Sequence, residues 1–432
     1  MYSLSNLVRQ HMERGYVDRL DRELDPELEP TKYIMKSDTS GTTLLFKVRG
    51  SSLECVSGVL NTRRKLYEVL GASSDEDAYA KVINSLNRRS RASLKESSFK
   101  ESYRELPSSA LPLPAIRFYS IDGGRYITSS IVIARTPELD SYNASIHRLM
   151  SLNSRSFAIR LVPRHLYSIY ETNKKAGRDT EVAVVIGAHP IVELAASISP
   201  PYGVFELEMV EDLGGEPLEV VRTPRYGIPV PARASVVIEG RITRELASEG
   251  PFVDILGLPD RTRSQPILSV DAVYIPRGDP EYFHVILPGG SEHMLLMGFP
   301  REASIWDGVR RAVPQVKKVR LTKGGGMWLH AVISIKKVAE GDGKTAIMAA
   351  FAAHPSLKHV VVVDDDIDPE NLEEVEWAIA TRLQAGRGLV VVRHARGSTL
   401  DPSSEDGLTD KIGIDATAPL DRREMFVRPR VG

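Results

Sequence analysis

The spacing of apolar residues changes twice along the chain, and the first part is typical of mixed helix and strand. Near the N-terminus apolar residues recur at three- and four-residue intervals, which predicts a helix with one buried face over residues 1–31. Residues 42–50 (TTLLFKVRG) predict a strand, and 74–90 predict a helix capped by Ser74 or Asp75. The apolar residues of the first helix are Leu4, Leu7, Val8 and Met12.

A segment with three prolines, 105–114, separates this part from a long β-rich one. Proline lacks an N–H group and disfavours helix at the preceding residue, so the segment is a plausible linker. Beyond it, short β-branched runs alternate with turn residues, a pattern that favours a barrel or a sandwich. Helices are predicted at 163–177 and 189–199. The predicted strands are 125–135, 156–162, 181–187, 205–211, 218–223, 234–242, 267–276 and 282–288.

From about residue 303 predicted strands alternate with predicted helices, which indicates a mostly parallel α/β sheet. We therefore expect an α/β and β fold with an N-terminal α/β domain at 1–105, a central β-barrel domain at 106–302 and a C-terminal α/β domain at 303–432. The strands of the last domain are predicted at 316–322, 328–336, 359–368 and 388–395, and its helices at 306–314, 343–355 and 369–384.

Composition excludes several classes of protein. The 56 Lys and Arg residues balance 57 Asp and Glu residues, which argues against a nucleic-acid-binding surface over the whole protein. The single cysteine, Cys55, excludes a disulfide framework and a cysteine-based metal site. No run approaches the roughly 18 apolar residues of a membrane span, so we expect a cytoplasmic protein. The low content of 8 Asn and 4 Gln suggests a thermophile.

Two segments resemble functional motifs, but structural interpretations are favoured for both. GDGKT (341–345) lacks the glycine that a phosphate loop needs five residues before Gly343, since that residue is Val338, so a strand-to-helix turn is favoured. Residues 360–368 place four aspartates at the end of an apolar strand. They fit either a metal-assisted nucleotide-sugar site or a strand end followed by a helix capped by Asp368, and we favour the second.

Two further segments carry candidate chemistry. Glu249 and Asp254 flank a Gly-Pro pair in EGPFVD and can converge on one pocket, as paired acids do when acid and base roles are divided. On this segment alone, two solvated loop acids are the favoured interpretation. On a strand over 141–150, Asn143 and Ser145 would share a face, because side chains alternate with a period of two. Spacing alone connects His165 to neither segment.

Seven segments in this order and spacing resemble the UbiD family of decarboxylases, which use prenylated FMN, and the resemblance spans about 105–420. It implies an N-terminal α/β domain, a central split β-barrel related to flavin reductases, and a C-terminal α/β domain. The segments are NASIHR (143–148), PRH (163–165), ASISPPYGVFE (196–206), EGPFVD (249–254), LHAVISIKK (329–337), VVVDDDIDPENLEEVEWAIATR (361–382) and DGLTDKIGIDAT (406–417).

The resemblance implies that a divalent metal, Mn²⁺ or Mg²⁺, links the flavin phosphate to Asn143, His165 and Glu206. A bridging cation removes the repulsion between phosphate and carboxylate, and oxygen and nitrogen ligands suit these metals. Potassium often accompanies the metal in the family. The family often has a second serine where this chain has Ala196. The other implied cofactor contacts are Thr128, Ser145, Ile146, Arg148, Ser197, Ile198 and Lys411.

The family's catalytic Arg–Glu–Glu network corresponds to Arg148, Glu249 and Asp254, the last being one methylene shorter than the usual glutamate. Arg148 would bind a substrate carboxylate or hold Glu249. Glu249 would donate the proton that replaces CO₂, and it must therefore be protonated at neutral pH. Burial and Asp254 favour that state, and Arg148 opposes it. The electron sink has to be a cofactor, since no side chain provides one.

Within the family, the overall pattern is most similar to archaeal members that convert trans-anhydromevalonate 5-phosphate to isopentenyl phosphate and CO₂ in a modified mevalonate pathway. The substrate would be a small phosphorylated enoic acid, and its phosphate needs further cations. Arg164, beside His165, and Lys323, before a triple glycine, are the candidates. We also expect a flavin prenyltransferase as the supplier of the cofactor, assembly into a homo-oligomer, and neither nucleic acid nor membrane as a partner.

Three alternatives remain from the sequence. The first is a decarboxylase of an aryl acid, such as 4-hydroxybenzoate or its 3-polyprenyl derivative. The second is a flavin-binding or cofactor-delivery protein without turnover, which would not need the set of Arg148, Glu249 and Asp254. The third is a glycosyltransferase-like enzyme that uses the aspartates of 360–368 and binds no flavin.

Overall fold

The computed structural model describes residues 2–88, 94–107 and 113–428. The predicted linker at 105–114 therefore lies partly outside the described residues. No helix in these three ranges is both long enough and apolar enough to cross a membrane.

The chain divides into two compact units. The first consists of Met1–Ala72 and Asn84–Leu296, and the second of Ser73–Ile83 and Met297–Gly432. The three-domain boundaries given above remain a prediction.

The N-terminal part contains short helices and strands, and the single helix predicted over 1–31 was wrong in its extent. The first helix ends at Glu13 and is followed by Gly15, whose left-handed φ of 71° does not continue a helix. The polar residues after it form a strand that pairs in parallel with the next one. The elements are α1 (Leu4–Glu13), β1 (Val17–Leu24), α2 (Glu29–Ser40), β2 (Thr43–Val48), β3 (Glu54–Ser57), α3 (Arg63–Leu70), α4 (Asp75–Asn87), β4 (Lys95–Ser97), α5 (Phe99–Ser102) and β5 (Tyr103–Glu105).

A closed barrel of six antiparallel strands forms the centre of the first unit. Its order is β12-β9-β6-β7-β8-β15, and pairing of β12 with β15 closes it. Its apolar interior includes Val132, Val182, Ile238 and Leu268. The elements are β6 (Tyr126–Arg135), β7 (Tyr142–Asn153), β8 (Ser156–Ile159), α6 (His165–Lys175), β9 (Thr180–Ile186), α7 (Pro190–Ser197), α8 (Val210–Gly214), β10 (Glu219–Arg222), β11 (Pro229–Pro231), β12 (Val236–Glu249), β13 (Phe252–Val253), β14 (Pro259–Asp260), β15 (Arg263–Pro276) and β16 (Phe283–His284).

The strand predicted at 205–211 was wrong. The chain there forms a 3₁₀-helix, Glu206–Met209, that continues into α8. Its buried residues include Leu207, Val210 and Leu213. Their spacing of three places them on one face of a helical turn, whereas the alternation that predicted a strand covers only its first half.

The second unit contains a five-stranded sheet in the order β17-β18-β19-β21-β20. Only its central pairs are parallel, so the mostly parallel sheet predicted from the sequence is a mixed one. Strand β21 was missed because several of its inward positions are polar or small, at Thr409, Lys411 and Gly413. The elements are α9 (Ser291–Ala312), whose residues up to Leu296 belong to the first unit, β17 (Val316–Leu321), a 3₁₀-helix (Lys323–Gly325), β18 (His330–Ile335), α10 (Asp342–Ala353), β19 (His359–Asp364), α11 (Leu372–Arg382), α12 (Ala385–Gly388), β20 (Leu389–Arg396), β21 (Leu408–Ala416) and a further 3₁₀-helix (Leu420–Phe426).

The aspartates after β19 are bound by the protein itself. Asp364 and Asp366 both accept hydrogen bonds from Arg382, at 2.7–2.9 Å. The cap of α11 is Asn371, which accepts from two backbone N–H groups, and not Asp368 as predicted. The segment therefore has the structural role favoured from the sequence, with a different capping residue. GDGKT likewise forms the turn that begins α10.

Two loops of the first unit are fastened together beside the barrel. The buried carboxylate of Asp122 accepts from the N–H groups of Phe118 and Tyr119 and, with its other oxygen, from that of Val253. Gly123 donates its N–H to Pro251 O at 2.7 Å. A Cβ on Gly123 would lie 2.0 Å from the carbonyl oxygen of residue 250, so the approach of the two backbones requires glycine.

We predict that Gly123→Ala lowers the free energy of unfolding by about 1–3 kcal/mol, because the added methyl group must push the facing backbone away. The matched control is Gly124→Ala, whose methyl group would meet only the flexible side chain of Met150, at 3.2 Å. Urea unfolding of both variants measures the difference. Equal stability of the two would contradict the requirement for glycine at residue 123.

Candidate functional site

Strand β7 presents a row of polar side chains on one face. Asn143, Ser145 and His147 alternate with residues of the opposite face, as a strand requires. Ser145 Oγ lies 3.2 Å from Asn143 Oδ1 and 2.9 Å from His147 Nε2. The sequence prediction that Asn143 and Ser145 share a face is confirmed by this contact.

The direction of the hydrogen bonds in this row follows from the contact that His147 makes at one end of it. His147 Nδ1 lies 2.9 Å from the carbonyl oxygen of Arg160, which only accepts, so Nδ1 carries the hydrogen. Burial lowers the pKa of His147 to about 4, so the ring is neutral and Nε2 accepts the hydroxyl hydrogen of Ser145. Asn143 Oδ1, 3.2 Å from the same hydroxyl oxygen, is the alternative acceptor of that hydrogen.

Glu206 is a buried carboxylate at the other end of the row. Its oxygens accept from Asn143 Nδ2 at 2.7 Å and from the N–H of Ala144 at 2.6 Å. Burial raises the pKa of Glu206 to about 8, against the effect of these hydrogen bonds. No Lys or Arg of the described chain forms an ion pair with it, so a bound cation would supply a missing charge. The donor set of Glu206 and Asn143 Oδ1 fits a hard divalent metal.

His165 begins α6 and is half-buried. Its ring packs edge-on against Tyr202, with 5.5 Å between the ring centroids. Burial, and then the charge of Arg164, lowers the pKa of His165 and keeps it neutral, the form that binds metals. The structure thus joins Asn143 to Glu206 by a direct bond, but it shows no hydrogen bond from either residue to His165. Within the described ranges no group of three or more His, Cys, Asp or Glu side chains is placed to hold a metal ion.

Four of the other predicted cofactor contacts lie in the first unit. In the first unit, Thr128 donates to Ile286 O at 2.6 Å and Ser197 donates to Leu194 O at 2.7 Å. Ile146 is half-buried and Ile198 is buried.

The remaining predicted contacts to the cofactor or to the substrate phosphate are Lys411, Lys323 and Arg164, which differ in exposure. In the second unit Lys411 is buried, donates to Leu357 O at 2.7 Å, and has its pKa lowered to about 8 by burial. In the same unit Lys323 is exposed at the start of the 3₁₀-helix Lys323–Gly325. Arg164 is exposed in the first unit, immediately before α6.

Arg148, on the opposite face of β7, is the centre of a cluster of carboxylates. Its Nε and one terminal nitrogen bind both oxygens of Glu249, at 2.9 and 3.0 Å. The other terminal nitrogen binds Asp254 at 3.0 Å. The guanidinium also lies over the ring of Phe252, 4.3 Å from its centroid. The two acids that flank the Gly-Pro pair therefore do converge.

A third carboxylate, that of Asp260, completes the cluster and was missed from the sequence. It lies 3.0 Å from the same terminal nitrogen of Arg148 that binds Glu249. The polar segment around it, LPDRTR, is typical of a surface turn. Its place in the site follows from the pairing of β14 with β13, two strands too short to give a pattern in the sequence.

The arrangement can perform two tasks. The row from His147 to Glu206 can bind a cation and, through it, an anionic group. The Arg148 cluster holds a fully buried acid, Glu249, which is 0% exposed, against a guanidinium that binds three carboxylates. A buried acid beside a site for an anion is suited to proton transfer in the absence of bulk water.

Comparison with known proteins identifies the family of the chain. The N-terminal, Rift-related and C-terminal domains of 3-octaprenyl-4-hydroxybenzoate carboxy-lyase, the UbiD family, match residues 8–86, 91–291 and 294–416. Anhydromevalonate phosphate decarboxylase of Aeropyrum pernix is 50% identical over 412 residues, covering 95% of this chain and 93% of that protein. The enzyme of the same name from Methanothermobacter thermautotrophicus is 42% identical, covering 91% and 92%.

Among solved structures, the UbiD-class enzyme HmfF from Pelotomaculum thermopropionicum, in complex with FMN, is similar over the whole of this chain and 97% of its own, with a TM-score of 0.94 and 38% identity. Family domains cover most of the chain, and the relatives match it over nearly its full length. The chain therefore belongs to the UbiD family of carboxy-lyases.

Proposed function

We propose that the enzyme decarboxylates trans-anhydromevalonate 5-phosphate to isopentenyl phosphate and CO₂. The relatives from Aeropyrum pernix and Methanothermobacter thermautotrophicus carry the corresponding name, at 50% and 42% identity. The structural observation on which the proposal depends is the buried pair of Arg148 and Glu249. It provides both a cation for a substrate carboxylate and an acid for the carbon that loses CO₂.

Prenylated FMN is the proposed cofactor, and it supplies the electron sink that decarboxylation requires. Asn143, His165 and Glu206 would hold Mn²⁺ or Mg²⁺, with K⁺ as a second ion, against its phosphate. The support is the buried carboxyl group of Glu206, which forms no ion pair within the described ranges, and the amide of Asn143 bonded to it. We further propose that the barrel is of the split, flavin-reductase type, that a flavin prenyltransferase supplies the cofactor, and that the enzyme is an archaeal, cytoplasmic one.

The roles of the protein's own side chains follow from their geometry. Arg148 orients the substrate carboxylate or holds Glu249, because its planar fork fits either in bidentate fashion. Glu249, when protonated, gives its proton to the carbon that carried the carboxylate. Asp254 shares the charge of Arg148 and so lessens its hold on Glu249.

A homo-oligomer is also proposed, and the edge of the second unit's sheet supports it. Strand β20 is at that edge and exposes Leu389, Val391 and Val392, by 39%, 57% and 37%. An exposed apolar edge strand is a surface that proteins usually cover. A second copy of the chain is the proposed partner.

The substrate is tested with holoenzyme, purified after coexpression with a flavin prenyltransferase. We expect CO₂ release from anhydromevalonate phosphate, and none above background from 4-hydroxybenzoate or its 3-polyprenyl derivative. Turnover of an aryl acid alone would replace the proposed substrate by the aryl alternative. Full activity in protein without flavin absorbance would contradict the cofactor.

Glu249→Gln should retain the cofactor but lower kcat by roughly 10²-fold or more, because an amide cannot donate the proton. The matched control is Glu245→Gln, the same change at an exposed position of the same strand, β12. Flavin absorbance and kcat are measured for both variants. A near-normal kcat for Glu249→Gln would remove this residue from the acid role.

Arg164→Ala should raise KM for the phosphorylated substrate with little change in kcat, since its cation would bind the phosphate and not the reacting carbon. Arg155→Ala, another exposed arginine of the first unit, is the control and should leave KM unchanged. An unchanged KM for Arg164→Ala would place the phosphate at other cations, of which Lys323 is the next to be replaced.

A further inference from the structure

Asp260 is bound on two sides by arginines. One oxygen lies 3.0 Å from the terminal nitrogen of Arg148 and 3.8 Å from Nε of Arg160. The other oxygen forms an ion pair with Arg263. The side chain of Asp260 is only 9% exposed, against 22% for Asp254. Asp260 is therefore the more buried of the two aspartates that compete with Glu249 for Arg148.

This competition matters because the ion pair with Arg148 favours the ionised form of Glu249, whereas a proton donor must be protonated. A bidentate guanidinium stabilises an ionised carboxylate and opposes its protonation. Asp260 contacts the same nitrogen as Glu249, so it draws the positive charge toward itself and adds a negative charge nearby. Both effects favour the protonated form of Glu249.

Asp260 itself stays ionised in this environment. Burial disfavours its charge, but hydrogen bonds from Arg263 and Arg148 hold the pKa of Asp260 below its ordinary value. Of the two neutral groups nearby, burial raises the pKa of Tyr126 and lowers the pKa of His293. The charged and titratable groups around Glu249 are Arg148 of β7, Arg160 after β8, Asp254 after β13, Asp260 of β14, Arg263 of β15, Tyr126 of β6 and His293 of α9.

We propose that Asp260 is a positioning residue for the reaction, which keeps Glu249 able to carry its proton by taking up part of the charge of Arg148. The inference rests on the proposed function, since it assigns the acid role to Glu249. It adds a third carboxylate to the Arg148, Glu249 and Asp254 network. Asp260 touches neither the substrate nor the proton in this account and acts only through Arg148.

The test is the pH profile of kcat for holoenzyme carrying Asp260→Asn. With the negative charge removed, Glu249 loses its proton at lower pH, and the alkaline limb of the profile should move down by roughly one pH unit. Asp260→Glu keeps the charge and should restore the position of the limb, even where kcat is lower. Asp271→Asn is the control, because Asp271 is also paired with an arginine of the barrel, Arg241, and should not move the limb.

Arg263→Gln provides a test of opposite sign. It removes a positive charge beside Asp260 and leaves that carboxylate to act more strongly on Arg148, so the alkaline limb should move up. A fall in kcat at all pH values with an unmoved limb, in both Asp260→Asn and Arg263→Gln, would show a structural role only and overturn the proposal. Should Asp260→Asn not fold, Arg263→Gln decides alone by the same criterion.

A measurement without turnover separates this inference from the proposed function. The carbonyl stretch of protonated Glu249 is identified in infrared difference spectra as the band lost in Glu249→Gln, and it is titrated with pH. Its midpoint should fall in Asp260→Asn and rise in Arg263→Gln. Moved midpoints in an enzyme that decarboxylates none of the acids tested would reject the proposed function alone. Unmoved midpoints in an active enzyme would reject the role of Asp260 alone.

Discussion

The guanidinium of Arg148 is buried among carboxylates, and the arrangement of the site depends on keeping that charge compensated. Taking such a group out of water costs several kcal/mol, and loss of one partner of a buried ion pair costs about 3–5 kcal/mol. The barrel strand fixes Arg148, and the segment from Glu249 to Asp260 brings the acids to it. The hydrogen bonds of Asp122 with Val253 and of Gly123 with Pro251 hold this segment in place.

The two faces of β7 carry different functional groups. One face carries Asn143, Ser145 and His147, which are linked to one another and to Glu206 by short polar contacts. The other carries Arg148 with its acids. Strand β7 thus carries both the proposed metal ligand Asn143 and the arginine that binds Glu249 of β12, the proposed proton donor, so the rigidity of the closed barrel fixes the geometry of both.

Much of this could be predicted from the sequence where local pattern and structure agree. The β-branched runs predicted most of the barrel strands, and EGPFVD gave the convergence of Glu249 and Asp254 as one of two interpretations. Prediction failed where a local pattern was ambiguous or tertiary contacts decided. Residues 205–211 alternate like a strand but are helical. Strand β21 was missed because Lys411, a charged residue, occupies a buried position in it. Asp260 joins the site through a pairing of two-residue strands, which leaves no periodic signal.

The most direct test of the account is a crystal structure of the enzyme purified after coexpression with a flavin prenyltransferase. We expect a metal ion held by Asn143, His165 and Glu206 at the flavin phosphate, with the isoalloxazine ring facing the carboxyl group of Glu249. A flavin bound elsewhere, or a Glu249 sealed off from the ring, would contradict it.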